Sequence, residues 1–358
     1  MIPESIYLCT SLTALRLADN NFHGELSPKI GNLKSLTFLS LYKNSFTNIT
    51  NSLQILKNSK NLRALLLWKN FMREAVPQDK TIDGFDNLQV LGIHRCSLTG
   101  KIPLWLSNLR NLEVLILSNN QLDGQIPGWF NHLNHILFLD VSNNSLMGEI
   151  PTALLEMKIP KSIKAAAHWD RSFFALPIYL TVSRQYRLTS AFPKVLDLSN
   201  NNFTGEIPQD ISQLKALNSL NLSFNRFYGQ IPQTLCDLTN LQVLDLSSNL
   251  LTGTIPATLN NLHFLSMFNV SNNDLEGPVP TDGQLSTFPD SSFDGNPKLC
   301  GSTLIHRCNP VGAAPDSIIT AKDCTNKVIL VISFAVSFGL GVLYDQLVIS
   351  TFHFCIQM

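Results

Sequence analysis

Ten times along this chain an aliphatic residue is followed, three positions later, by asparagine or, once, by cysteine. The series is Asn20, Asn44, Asn70, Cys96, Asn120, Asn144, Asn201, Asn225, Asn249 and Asn273, with gaps of 24, 26, 26, 24, 24, 57, 24, 24 and 24 residues. A period of this length commits a chain to a stack of similar units, because one unit is too small to bury a core alone. The gap of 57 equals one 24-residue unit plus 33 residues, which predicts an insertion inside the stack.

The fifth unit, Asn111 to Pro127, carries the pattern L-x-x-L-x-L-x-x-N-x-L-x-G-x-I-P, a leucine-rich repeat. Leu115 and Leu117 alternate with Ile116, so the leucines face one side of a short strand and the intervening residue faces the other. Stacking predicts an α/β solenoid, a horseshoe or superhelix with a concave parallel β-sheet and a leucine-filled interior. The asparagine has a mechanical part in it. Where a strand ends, backbone groups need partners, and an Asn side chain offers both donor and acceptor. Stacked copies predict a ladder joining successive turns, with Cys96 a small, weakly polar exception. The Gly-x-Ile-Pro that follows permits a tight turn and then an extended segment. It resembles the plant extracellular subclass of the repeat.

These matches divide the chain. Residues 1–151 hold repeats one to six. The first is cut on its N-terminal side, since Met1-Ile2-Pro3-Glu4 reads as the tail of a preceding repeat and lacks the basic and apolar regions of a secretory leader. Residues 152–192 form an island insertion, in which Ile178 to Val182 has β character. Residues 193–283 hold repeats seven to ten. Residues 284–308 form a C-terminal cap, where a disulfide between Cys300 and Cys308 suits an oxidising compartment. Residues 309–327 read as a juxtamembrane linker. Val328 to Tyr344 carry no charge over 17 residues, the low end of the roughly 17–25 a spanning helix needs. A transmembrane helix is therefore expected at 328–344 and a short cytoplasmic tail, without kinase motifs, at 345–358. Sequons at Asn48, Asn143, Asn202, Asn221 and Asn269 are candidate glycosylation sites.

Net charge is zero with 15% charged residues, which argues against a nucleic-acid partner. The eight histidines show neither metal-ligand nor catalytic-triad spacing, so no enzymatic activity, metal or cofactor is expected.

The two residues before each ladder position face out of the sheet. In repeats five, six, seven and ten they are Ser-Asn, and in eight and nine Ser-Phe and Ser-Ser. Repeats two, three and four carry Tyr42-Lys43, Trp68-Lys69 and His94-Arg95 instead. Neighbouring strands lie about 4.8 Å apart, so these six side chains predict one aromatic and basic patch, which Arg16 extends. The cations suit a sulfate or carboxylate, and exposed rings suit stacking on a tyrosyl group. Val114, Ile116, Phe138 and Asp140 of repeats five and six lie between this patch and the island, where they are expected to contribute.

An island followed by four repeats, then His263 to Asn273, Pro278-Val279-Pro280, Phe288-Pro289, Phe293-Asp294-Gly295-Asn296-Pro297 and Leu299-Cys300-Gly301, resembles the plant phytosulfokine and tyrosine-sulfated glycopeptide receptors. The likeness is strongest to the glycopeptide-receptor branch and its kinase-less receptor-like relatives. The resemblance implies an island folded over the concave face and a peptide lying against it partly by strand pairing, with Tyr179 and Thr181 on the pairing edge. It also implies a co-receptor kinase with a short leucine-rich repeat ectodomain near the C-terminal repeats. The expected protein is thus a single-pass plasma-membrane receptor-like protein with extracellular repeats. It would bind an extracellular peptide, for which tyrosine sulfation is the form the cations suit, and signal through a partner kinase. Two other readings stand beside it: an immune receptor-like protein sensing a pathogen molecule, and a truncated nonfunctional or decoy fragment.

Overall fold

The structure, a computed structural model, describes residues 1–78, 82–157, 193–281, 283–301 and 307–308. Most of the island (158–192) and the expected linker, span and tail (309–358) lie outside the described residues. Among the described residues no helix is long and apolar enough to cross a membrane.

Among the described residues each repeat gives one three-residue strand, from Ala14–Arg16 to Met267–Asn269, and the ten pair in parallel in chain order. The middle residue of each strand, Leu15 and Leu39 through Leu244 and Phe268, is buried in one continuous core. The insertion does not disturb the register. Phe138–Asp140 pairs with Val195–Asp197 residue for residue, Leu139 opposite Leu196. The sheet continues there as if one ordinary repeat separated the two strands.

The asparagine ladder holds the stack together. Asn225 Nδ2 donates to the carbonyls of Leu198 in the preceding repeat (3.0 Å) and Leu222 in its own (3.1 Å), and Oδ1 accepts from the Phe203 N–H (3.1 Å). Asn70, Asn120, Asn201, Asn249 and Asn273 repeat the arrangement. In the first repeat the Asn20 side chain is exposed and, among the described residues, reaches only the carbonyls of Leu17 and Ala18. The ladder also runs one rung further than the repeat count implies. Asn296 Nδ2 donates to Val270 (3.0 Å) and Phe293 (2.8 Å), and its Oδ1 accepts from the Leu275 N–H (3.1 Å). The cap expected over 284–308 therefore contains a further rung, disguised because it follows an aromatic rather than an aliphatic residue.

At Cys96 the ladder is incomplete. The thiol lies 3.2 Å from the His94 carbonyl and 3.8 Å from that of Leu67, and it offers no oxygen to the preceding repeat. Burial pushes its pKa up to about 11, so it is an inert thiol. In that preceding repeat Phe71 and Arg73 adopt left-handed backbone, φ 50° and 63°. Cys96→Asn is expected to restore the acceptor and add about 1 kcal/mol. The denaturant midpoint reads this out; an unchanged midpoint would mean that repeat three holds no donor in need of it.

The helical half of the solenoid is thinner than expected. The convex side carries mainly five-residue 3₁₀ turns such as Gln209–Gln213 and Gln233–Asp237, with an α-helix at Ile49–Leu56. The Gly-x-Ile-Pro segments instead build a second parallel sheet, eight strands from Thr99–Lys101 to Lys298–Cys300 among the described residues. Its glycines turn the chain with left-handed φ, as at Gly253 (74°). Repeats two and three break the pattern together. Asn48 stands at the glycine position with φ 61°, and its side chain accepts from the Asn51 N–H at 3.0 Å. Glu74 stands at the next one and accepts from the N–H groups of Asn48 and Ile49, both at 2.7 Å. A capped helix N-terminus thus takes the place of a sheet rung.

Candidate ligand site on the concave face

A 470 Å³ cavity opens on the concave sheet, and all six residues of the Tyr-Lys, Trp-Lys and His-Arg pairs line it. Ile116, Phe138, Asp140 and Asp197 continue the lining across repeats five to seven. Beneath lies a second apolar cluster that includes Phe38, Leu66, Val90, Val114 and Phe138.

Trp68 does not present an open face, contrary to the expectation from sequence, whereas Tyr42 is only partly buried. Tyr42 stacks on Trp68 (centroids 4.8 Å apart), and Trp68 stacks on His94 (4.5 Å). Trp68 is only 6% exposed, being sandwiched between its neighbours. Gly92 makes the space, since a Cβ there would stand 3.1 Å from Trp68 Cε3. The three rings form a rigid shelf that sets the spacing of the cations beside them. His94 is neutral: burial, then Arg95 and Lys69, push its pKa down to about 3. Its Nδ1 is enclosed and has no hydrogen-bond partner.

Lys43, Lys69 and Arg95 share a backbone feature that the amino-acid order does not show. Each has left-handed φ, 55°, 52° and 55°, as do Asn119, Asn143, Asn200 and Asn272 at the equivalent place. Asparagine tolerates this conformation, whereas for other residues it costs roughly 1–2 kcal/mol. Lys43 is paired with Asp19 at 2.7 Å. Among the described residues no carboxylate forms an ion pair with Lys69 or Arg95. Arg16 is not part of the cavity lining; its guanidinium lies 4.6 Å above the Phe38 ring.

At the far end Asp140 and Asp197 are in-register neighbours. Each Oδ1 accepts from the serine two residues on, Ser142 Oγ at 2.7 Å and Ser199 Oγ at 2.6 Å. Burial raises both carboxyl pKa values, and the repulsion of Asp140 helps to bring Asp197 to about 6. Asp197 is not found from sequence, because its pairing with Asp140 appears only once the 57-residue gap is closed.

Tyr179 and Thr181 lie outside the described residues. Cys300 and Cys308 are joined by a disulfide, Cα–Cα 4.9 Å. Of the sequons, Asn143 and Asn202 are exposed. Asn48 Nδ2 donates to Glu25 Oε1 at 3.0 Å. Asn221 and Asn269 are half-buried on the concave sheet, their Oδ1 atoms accepting from the N–H groups of Ser223 and Ser271.

Models of the leucine rich repeat match residues 86–146, and single repeats match 193–214, 216–238 and 240–262. With the ladder and the concave sheet, these matches give the fold as a leucine-rich repeat solenoid. It is similar to Receptor-like protein 3 of Arabidopsis thaliana, 49% identical over 333 residues, 91% of this chain and 44% of the relative. It is also similar to Phytosulfokine receptor 2 of the same plant, 39% identical over 182 residues, 49% of this chain and 17% of the relative. The chain thus spans less than half the length of these curated relatives. Among solved structures, a TDR receptor superposes with TM-score 0.64 at 26% identity, covering 84% of this chain and 48% of that one. A plant ice-binding protein superposes with TM-score 0.62 at 26% identity, covering 82% and 83%. The fold therefore serves more than one function, and a functional reading has to come from the site itself.

Proposed function

We propose that this chain is the extracellular recognition part of a cell-surface receptor-like protein. It binds an anionic peptide on the concave face of repeats two to seven and signals through a partner kinase. The observation that carries the reading is the convergence of Lys69 and Arg95 on one cavity, at backbone positions that favour asparagine. Their φ angles disfavour Lys and Arg locally, as they do Phe224 and Ser248 at the same place in repeats eight and nine, whereas the Asn of repeats five, six, seven and ten meets the turn at less cost. The similarity to Receptor-like protein 3 and Phytosulfokine receptor 2 supports the class, and a sulfated tyrosine is the sharpest form of the proposed ligand.

The test uses the same preference. Lys69→Asn with Arg95→Asn is expected to fold as well as the native chain, or better. It should lose 10- to 100-fold in affinity for a tyrosine-sulfated peptide relative to its unsulfated twin, since a charge-assisted bond is worth about 1.5–3 kcal/mol. Calorimetric titration of both peptides decides it. Equal binding of the two peptides by the native chain would end the sulfate proposal.

A further inference from the structure

We propose that the Asp140–Asp197 end of the cavity is a second subsite, which takes a cationic group of the same ligand. The ligand would then be a dipolar peptide segment, with an ammonium or guanidinium group on one arm and an anion on the other. The inference rests on the concave-face reading above and specifies its ligand further.

Two observations carry it. The first is shared space: the acids and the cations line one cavity, with Ile116 and Phe138 between them. Repeat four, which carries Arg95, is two strand spacings from the strand of Asp140 and three from that of Asp197, or about 10–14 Å at 4.8 Å each. An extended peptide covers that distance in three or four residues.

The second is that the local task of these residues does not need charge. Asp140 and Asp197 accept the N–H of the serine two residues on, both at 3.0 Å. Asn221 and Asn269 perform the same task in repeats eight and ten, at 3.1 and 3.0 Å, as does Asp245 in repeat nine, outside the cavity, at 3.0 Å. Two adjacent carboxylates on one sheet face repel each other, and asparagine at either place would remove the repulsion while keeping the cap. The charge is surplus to the fold. It also has spare acceptor capacity: Asp197 Oδ2 receives a long 3.5 Å contact from Asn221 Nδ2.

A simple inorganic cation would engage the acids alone and leave the basic end unsatisfied, which is why a dipolar peptide is favoured.

The test uses the full 358-residue chain and four synthetic peptides of one length. A central tyrosine or sulfotyrosine is flanked, three residues away on both sides, by lysine or by uncharged norleucine. Placing lysine on both sides removes any dependence on chain direction. The native chain is expected to prefer lysine over norleucine by tenfold or more, with tyrosine or with sulfotyrosine. Asp140→Asn with Asp197→Asn should lose the lysine preference and keep the sulfate preference; Lys69→Asn with Arg95→Asn should do the reverse. A thermal melt verifies that each variant is folded. If lysine confers no advantage, or if the Asn pair retains it, the cation subsite is overturned, while a surviving sulfate preference leaves the function proposed above intact. A lysine preference without a sulfate preference supports the subsite and removes the sulfate. Failure of all four peptides to bind overturns both proposals.

Discussion

Asn201→Ala is expected to destabilise the solenoid by about 2–3 kcal/mol, a large effect for a single substitution. Asn201 is 9% exposed. Its Nδ2 donates to the carbonyls of Val141 and Leu198, both at 3.1 Å, and its Oδ1 accepts from the Leu146 N–H at 3.0 Å. Alanine strands the buried Leu146 N–H, at a cost of about 1–3 kcal/mol, and takes one of two donors from each of the Val141 and Leu198 carbonyls, which keep Asn144 and Asn225. Two of the three groups belong to repeat six, on the other side of the insertion in sequence. The bonds therefore close the long excursion between repeats six and seven as well as tying the two together. In a stacked protein the loss should appear as uncoupling of neighbouring repeats, with a broader denaturant transition and a lower midpoint. Asn20→Ala is the control. Its side chain is exposed in the first repeat and, among the described residues, donates only to carbonyls of that repeat, so its cost should stay within about 0.5 kcal/mol. If the two substitutions cost the same, the ladder is not what couples the repeats.

The contrast between Asn201 and Asn20 also shows what the amino-acid order can reveal. A repeated task leaves a repeated residue, so the leucine core, the ladder and the place of the insertion are all legible in the order of residues alone. What stays hidden depends on neighbours that the order does not name. The second sheet is illegible because a Gly-x-Ile-Pro segment looks merely extended until another lies beside it. Trp68 looks like an exposed binding face because nothing local shows Tyr42 and His94 closing over both sides of the ring. The cation-bearing positions stand out by their departure from Ser-Asn, yet the reason that asparagine is the filler, a left-handed φ, is a property of the folded turn. Arg16 is one repeat away from the patch, and the order of residues does not show that its guanidinium sits over Phe38 while Tyr42 acts on it electrostatically.

Replacing Asp140 and Asp197 by asparagine should change stability in a pH-dependent way, and the sign follows from the direction of their shifts. Burial holds both carboxyls above their ordinary range, Asp197 at about 6. For Asp197 the repulsion of Asp140 adds to burial, while hydrogen bonds from Ser199 and Asn221 pull the other way. A carboxyl whose folded value exceeds its unfolded value of about 3.9 gives stability that is complete below the unfolded value. That stability is lost as pH rises through the folded value. The native chain should therefore weaken between about pH 4 and 7, by roughly 2–3 kcal/mol from Asp197 alone. The Asn pair, which keeps the serine caps without the charge, should show a flatter profile. It should match the native chain near pH 4 and exceed it near pH 7, when melts are compared across buffers of equal ionic strength. Such a result would mean that the protein tolerates a substantial destabilisation to keep two charges its fold does not require, which is the expectation for groups retained to meet a ligand. Parallel profiles for the two proteins would mean that no charge is being buried there, and the case for a cation subsite would lose its physical basis.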